Sequence, residues 1–397
     1  MGTNTGVGIS HHRNPKLAAK EALQNALSDG QIIDNPDFVF MFATVGYNQQ
    51  QLVDTIAQLT NNAPLAGCSG EGVIAQKVAD ESNFSVVVMA IKSDEIRFNN
   101  ALSVGLKKSS HSVGESIAKD LKKSISDDTL GVITFSDGLT FNFNKFLDGL
   151  ESGLNGQNSL PVFGGTSADN WEMKQTFQYY NDKVVSDGTV AVLMSGSLKM
   201  AWAVNHGCVP IGTQRKITKC DGNIIYEIDN QPVLDILKEY LLEDEIDNWN
   251  STVVNLSWGF KAPNTLTDQY DEYIVRFMPA KDDKTGSITI PTEVVEGTDI
   301  WMTRRDQSKI SDGIDKIANS IKSQIKENKP KMVFNFDCAG RGKMIFREQQ
   351  KLELLNSLQN KIGNDIPWIG LYTYGEIGPV SKVNNFHNYT LVLLAVY

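Results

Sequence analysis

One pattern is written three times along this chain, and it limits the fold more than any other feature. A helical segment over 15–27 has Asn14 as its cap, Pro15 in its first turn, and Ala19, Leu23 and Ala26 on one face; it leads to the apolar run Phe38–Ala43. Leu52, Ile56 and Leu59 mark a second helix. Pro64-Leu65-Ala66-Gly67-Cys68-Ser69-Gly70-Glu71 follows, and then a strand over 84–91. The second copy runs through a helix with Val113, Ile117 and Leu121, a strand over 130–135, and a helix with Phe143, Phe146, Leu147 and Leu150. It continues through Pro161-Val162-Phe163-Gly164-Gly165-Thr166-Ser167-Ala168-Asp169 to a strand over 189–194. The third has Ile310, Ile314, Ile317 and Ile321, a strand over 332–336, and then Leu352, Leu355, Leu358 and Ile362. It closes through Pro367-Trp368-Ile369-Gly370-Leu371-Tyr372-Thr373-Tyr374-Gly375-Glu376 and a strand over 389–396.

Each unit reads helix–strand–helix–strand. The crossover helix inside a unit predicts a parallel strand pair, and short links after Ile91 and Met194 predict antiparallel partners. The continuous apolar runs predict strands covered on both faces. The fold class is therefore α/β: mixed β-sheets covered by helices, built from three related units plus an insert. The second unit is read as ending near Asn205, and residues 207–307 do not fit the repeat. They are expected to hold a helix over 232–242, strands over 253–256 and 274–277, and a hairpin or loop over 280–286. Two domains follow, 1–220 with two units and 221–397 with the insert and the third unit.

Composition narrows the function. The 397 residues carry 37 basic against 47 acidic side chains, a net charge of −10, which speaks against an extended nucleic-acid or anionic-membrane surface. The apolar segments are strand-sized, short of the ~20 residues of a membrane helix. No secretory leader is read at the N-terminus, and the four cysteines show no C-x-x-C pair. A cytoplasmic protein is expected, without membrane insertion and without a zinc ribbon. Walker A, H-E-x-x-H and G-x-G-x-x-G patterns are absent.

The three Pro-x-x-Gly segments are the site candidates. Each leaves a short strand through small residues toward one carboxylate, Glu71, Asp169 or Glu376, and ligands of open α/β sheets gather at such strand ends. Equivalent positions would set the acids around a shared pocket. A pair of them would suit general acid/base chemistry, the enzyme alternative. Asp337-Cys338-Ala339-Gly340-Arg341-Gly342 also follows a strand. Cys338 reads either as a functional thiol or as a buried structural cysteine. The Arg341 guanidinium, between two glycines, suits an anionic ligand or an internal clamp on Asp337. His206 before Gly207-Cys208 reads as a metal or haem ligand or as a hydrogen-bonded structural histidine.

These residues carry a resemblance to the FIST family of bacterial sensory domains. The matching segments are Gly67-Cys68-Ser69, Gly164-Gly165 with Asp187-Gly188, and His206-Gly207-Cys208 with Pro210 and Gly212. Asp337-Cys338, Gly340-Arg341-Gly342, Tyr374-Gly375-Glu376-Ile377-Gly378-Pro379 and Phe386-His387-Asn388 complete them. The resemblance implies a small-molecule input module for signal transduction, with amino acids as proposed ligands. It also implies a separate partner such as a histidine kinase or a cyclic-di-GMP enzyme, because no output domain is read after the third unit. One branch of the family binds haem and senses nitric oxide; His206 is the candidate axial ligand for that alternative. Arg341 and Glu376 are the expected polar anchors for an amino-acid ligand, with Cys338, Gly340, Tyr374 and Gly375 lining the same site and no catalytic residue.

Overall fold

The computed structural model describes residues 2–154, 160–249, 253–262 and 273–397, and the account below concerns those residues. Unit 1 comprises β1 (Thr3–Ser10), α1 (Pro15–Asp29), β2 (Phe38–Ala43), α2 (Gln49–Leu59), β3 (Leu65–Ser69), the hairpin β4 (Gly72–Ala75) and β5 (Val78–Asp80), and β6 (Val86–Ser93). Unit 2 repeats this order with β7 (Ile96–Val104), α3 (Ser110–Leu121), β8 (Thr129–Ser136), α4 (Phe143–Gly153), β9 (Val162–Thr166), the hairpin β10 (Gln178–Tyr180) and β11 (Lys183–Val185), and β12 (Gly188–Gly196).

Unit 3 begins with β13 (Met200–Asn205) and is then interrupted. The insert holds β14 (Cys208–Pro210), β15 (Arg215–Asp221), β16 (Ile224–Ile228), β17 (Gln231–Pro232), α5 (Val233–Leu237) and α6 (Glu243–Asp247). It goes on through β18 (Leu256–Lys261), β19 (Tyr273–Arg276), β20 (Ala280–Asp282), β21 (Ser287–Thr289) and β22 (Asp299–Arg305). Unit 3 resumes with α7 (Gln307–Ile325), β23 (Met332–Cys338), α8 (Glu348–Ile362), β24 (Trp368–Thr373), the hairpin β25 (Gly375–Val380) and β26 (Val383–His387), and β27 (Leu391–Val396).

The helices start where the sequence predicts. The Asn14 side chain accepts from the Lys16 and Leu17 amides at 3.0 and 3.2 Å, and Ala19, Leu23 and Ala26 are buried. Leu59 differs from expectation, being 43% exposed in the last turn of α2. The segment over 232–242 is the short α5 followed by a turn, and 280–286 is the hairpin β20–β21. The strand expected over 253–256 is a 3₁₀ turn that leads into β18.

Each unit builds a mixed sheet. In the first sheet β2 and β3 run parallel, and β6 lies antiparallel between β1 and β2. The others have the same plan, with β7-β12-β8-β9 and β13-β27-β23-β24. The strand that ends at Asn205 therefore does not close unit 2: β13 pairs with β27 and opens unit 3, so the insert lies inside that unit. Likewise β7, reached by the short link after β6, leaves the first sheet and pairs with β12.

The hairpins lock the three sheets together. Unit 1 lends β4–β5 to the edge of β24, unit 2 lends β10–β11 to β3, and unit 3 lends β25–β26 to β9. The exchange is cyclic, each unit giving one hairpin and receiving another. Inner faces meet in one aromatic core: Phe40 lies 5.0 Å from Phe334, Phe42 5.2 Å from Phe135, and Phe135 6.4 Å from Phe336, between ring centroids. Val39, Met41 and Ala43 alternate outward beneath α1 and α2. That is why β2 is apolar at every position. The insert has its own core around Trp258, Ile236 and Ile300.

Candidate functional site

The three Pro-x-x-Gly segments superimpose on their glycines. A Cβ on Gly67, Gly164 or Gly370 would lie 1.8, 2.0 or 2.2 Å from the carbonyl oxygen of Met41, Thr134 or Asn335, on the parallel neighbour of its own strand. Past each glycine the backbone crosses to another unit by the same bond. The Glu71 amide donates to Tyr372 O at 2.9 Å, Ala168 to Ser69 O at 3.0 Å, and Tyr374 to Thr166 O at 3.2 Å. Glu71, Ala168 and Tyr374 are thus the equivalent positions. The three carboxylates lie at different offsets from their glycines and do not ring a shared pocket.

One seam opens into a cavity of about 390 Å³. It lies where the chain leaves β8 and β23, between units 2 and 3, with the insert as its roof. Unit 2 supplies the loop 138–142 and Trp171, unit 3 supplies Cys338, Gly340, Tyr374, Phe386 and Tyr389, and the insert supplies Phe277, Thr289 and Ile290. The volume falls in the range of small-molecule sites.

The Trp171 wall is held in an unusual shape. Asn170, Trp171 and Met173 have φ of 62°, 61° and 53°, a left-handed conformation uncommon for residues other than glycine and costly for a bulky one. Asp169, buried beneath them, accepts from the amides of Met173, Lys174 and Gln175 at 2.9, 2.6 and 2.9 Å. Tyr374 completes the clamp across the seam. Its hydroxyl donates to Asp169 Oδ1 at 2.7 Å and accepts from the Trp171 amide at 2.7 Å, and its ring lies 5.3 Å from the Trp171 ring.

The FIST N domain matches residues 37–231 and the FIST C domain matches residues 234–379. This chain belongs to the FIST family. FIST domains are associated with small-ligand sensing in signal transduction. The chain is 25% identical over 379 residues to an uncharacterized protein of Methanocaldococcus jannaschii, a span of 85% of this chain and 69% of the other. It is 24% identical over 400 residues to an uncharacterized protein of Mycobacterium tuberculosis, 97% of each chain. Among solved structures, a cyanuric acid hydrolase from A. caulinodans aligns with TM-score 0.38 and 9% identity over 100% of this chain and 99% of its own. A chorismatase aligns with TM-score 0.39 and 6% identity over the same shares.

The FIST motif residues divide around the cavity. Cys338, Gly340 and Tyr374 line it. Gly375 lies behind the wall, where a Cβ would sit 2.0 Å from the Phe386 ring; its bareness lets that ring pack. Arg341 does not face the cavity. Its Nε donates to Asp337 Oδ1 and its Nη1 to the His206 carbonyl, both at 2.7 Å, so it is the internal clamp. The crevice beside Arg341 measures about 30 Å³, room for a water and not for an organic ligand.

Glu376 is fully buried behind Cys338. It accepts from the Thr373 hydroxyl at 2.7 Å and the Thr390 amide at 3.2 Å, and burial pushes its carboxyl well above the usual range. Burial likewise pushes the Cys338 thiol up, so it stays protonated and weakly nucleophilic. Arg341 and Glu376 therefore cannot grip one ligand as expected: the structure uses both as internal partners.

His206 is equally engaged. Its Nδ1 accepts from the Cys208 amide at 2.7 Å and its Nε2 donates to the Tyr273 carbonyl at 2.7 Å. Both nitrogens are occupied by backbone, so the side chain does not fit an axial haem ligand without breaking one of these bonds. Among the described residues no group of three or more His, Cys, Asp or Glu could hold a metal ion.

Glu71 lies at another seam. Fully buried, it meets Lys343 Nζ at 3.1 Å, and burial lifts its carboxyl to about 7 despite that cation. Next to it, Glu81 and Lys351 form a buried pair at 2.8 Å. These charges join the β4–β5 hairpin to unit 3.

Sequence reasoning missed Phe141, Trp171, Phe277 and Tyr389 as cavity walls. Trp171 alone left a trace, since an Asp-Asn pair before an aromatic residue suits a left-handed turn.

Proposed function

We propose that this FIST protein is a small-ligand-binding sensory module whose input site is the cavity between units 2 and 3. The observation that carries the reading is that one pocket of about 390 Å³ is walled by two repeat units and roofed by the insert. A ligand there touches all three parts and so can shift how they sit together, which is what an input module requires. Three residues of the specific C-terminal FIST blocks, Cys338, Gly340 and Tyr374, lie on its wall. The protein acts by binding, and its signal passes to a separate partner such as a histidine kinase or a cyclic-di-GMP enzyme. No described helix is long and apolar enough to cross a membrane; the site of action proposed is the cytoplasm.

Amino acids are the first ligands to try, on the family resemblance. With Arg341 and Glu376 turned inward, an amino acid would have to be held by the neutral groups of the wall. Thermal-shift and calorimetric titration with amino acids and a metabolite panel, together with native mass spectrometry of the purified protein, tests the site. Leu139→Trp, which fills the cavity from its lining loop, should abolish saturable binding while the circular dichroism spectrum is kept. Binding that survives this substitution would place the ligand elsewhere.

A further inference from the structure

The proposed input site has a wall without ionised side chains. Among the described residues that line it there is no Asp, Glu, Lys, Arg or His. The surface is set by rings, with Phe141, Trp171, Phe277, Tyr374, Phe386 and Tyr389 around it.

Charged groups stand one layer behind and are held by protein partners, though Arg305 Nε itself has no acceptor. Arg276 donates to the Phe386 carbonyl at 2.7 Å and to the Thr292 hydroxyl at 2.8 Å. Arg305 donates to the Gly340 carbonyl and, at 3.1 Å, to Asn255 Oδ1, with its guanidinium 5.2 Å from the Tyr389 ring centre. Asp169 accepts four hydrogen bonds behind Tyr374 and Trp171. A charged ligand would lose its water in the cavity and meet no counter-ion, which is costly.

Hydroxyls on the wall are engaged by the protein itself, as the Tyr374 hydroxyl is by Asp169 at 2.7 Å. The Thr140 hydroxyl donates to Asp137 at 3.2 Å and the Thr373 hydroxyl to Glu376 at 2.7 Å, so both are already spent as donors.

Resting on the reading of this cavity as the input site, we infer that its ligand is an uncharged ring compound. The ring lies among the aromatic walls. Zwitterionic amino acids are the disfavoured class.

Charge-varied triplets on one scaffold test this: indole-3-acetamide, indole-3-acetate and tryptamine, then phenylacetamide, phenylacetate and phenethylamine, with tryptophan as the zwitterion. Calorimetry on the full chain should show the amides binding at least tenfold tighter than their charged counterparts. Asn142 lines the cavity and caps α4 by accepting from the Lys145 amide at 3.1 Å. Asn142→Asp preserves that cap and should shift preference toward the amine. Tighter binding of a carboxylate, an amine or tryptophan to the native protein would overturn the inference and leave the site standing. No Leu139→Trp-sensitive binding by any probe or metabolite would overturn both.

Discussion

The Tyr374 hydroxyl donates to Asp169 Oδ1 at 2.7 Å across the boundary between two repeat units and receives the Trp171 amide at the same distance. A residue of one unit thus fixes the cavity wall contributed by another. Tyr374→Phe should lower stability by roughly 1–3 kcal/mol, the cost of leaving buried partners unmade. Hydrogen exchange should rise over 170–175 more than over β24, and an unchanged exchange pattern would argue against the clamp.

Asp169→Ala removes four hydrogen bonds and the support for three left-handed residues. Urea unfolding should show a larger loss than Tyr374→Phe, and the double variant should lose less than the sum because the two share one network.

Glu71 supplies a pH signature. Its folded carboxyl holds a proton up to about pH 7, whereas an unfolded glutamate releases it near the ordinary value of 4.5. Between these values the folded state binds the extra proton, so this residue's contribution to stability falls as pH rises through the window. The full cost above pH 7 is roughly 3 kcal/mol. Glu71→Gln should stabilise the protein at pH 8 and have little effect at pH 4, read as chemical-denaturation midpoints.

His387 acts with the opposite sign. Burial, the first cause, lowers its imidazole to about 3, and its Nε2 is bonded to the Gly378 carbonyl at 2.9 Å. The unfolded chain takes up a proton below the ordinary 6.5 while the folded one does not, so stability falls as pH drops from 6.5 toward 3. His387→Gln should flatten the acid limb of the stability profile at the cost of a lower plateau.

His206 tests the haem alternative. With both ring nitrogens bonded to backbone, His206→Ala should destabilise the fold by about 2 kcal/mol or more. Haemin titration should give no Soret shift that depends on this residue. A stoichiometric complex lost specifically in His206→Ala would restore the axial-ligand role.

Local chemistry was readable before any coordinates. Asn14 and Pro15 set the start of α1, the apolar run Phe38–Ala43 demanded cover on both faces, and the threefold pattern predicted mixed sheets under helices. The hairpins β4–β5, β10–β11 and β25–β26 were not readable, because strands of three to six residues joined by tight turns carry too little periodicity to distinguish them from turns. Nor did β1, β7 and β13 register as unit starts, since their outer edges are only half covered and their alternation is weak.

The sequence by itself determined the repeat, the α/β class and the motif blocks, because helix caps, apolar spacing and glycine turns act over a few residues. The tertiary structure decided which motif residues face the cavity. Arg341 looks like an anion anchor until Asp337 and the His206 carbonyl, the latter 135 residues away in sequence, claim its donors. Trp171 looks like a loop residue until Tyr374 arrives from another unit and turns it into a wall. Side-chain direction depends on partners brought together by long-range packing, and the cyclic exchange of hairpins is the packing that brings them.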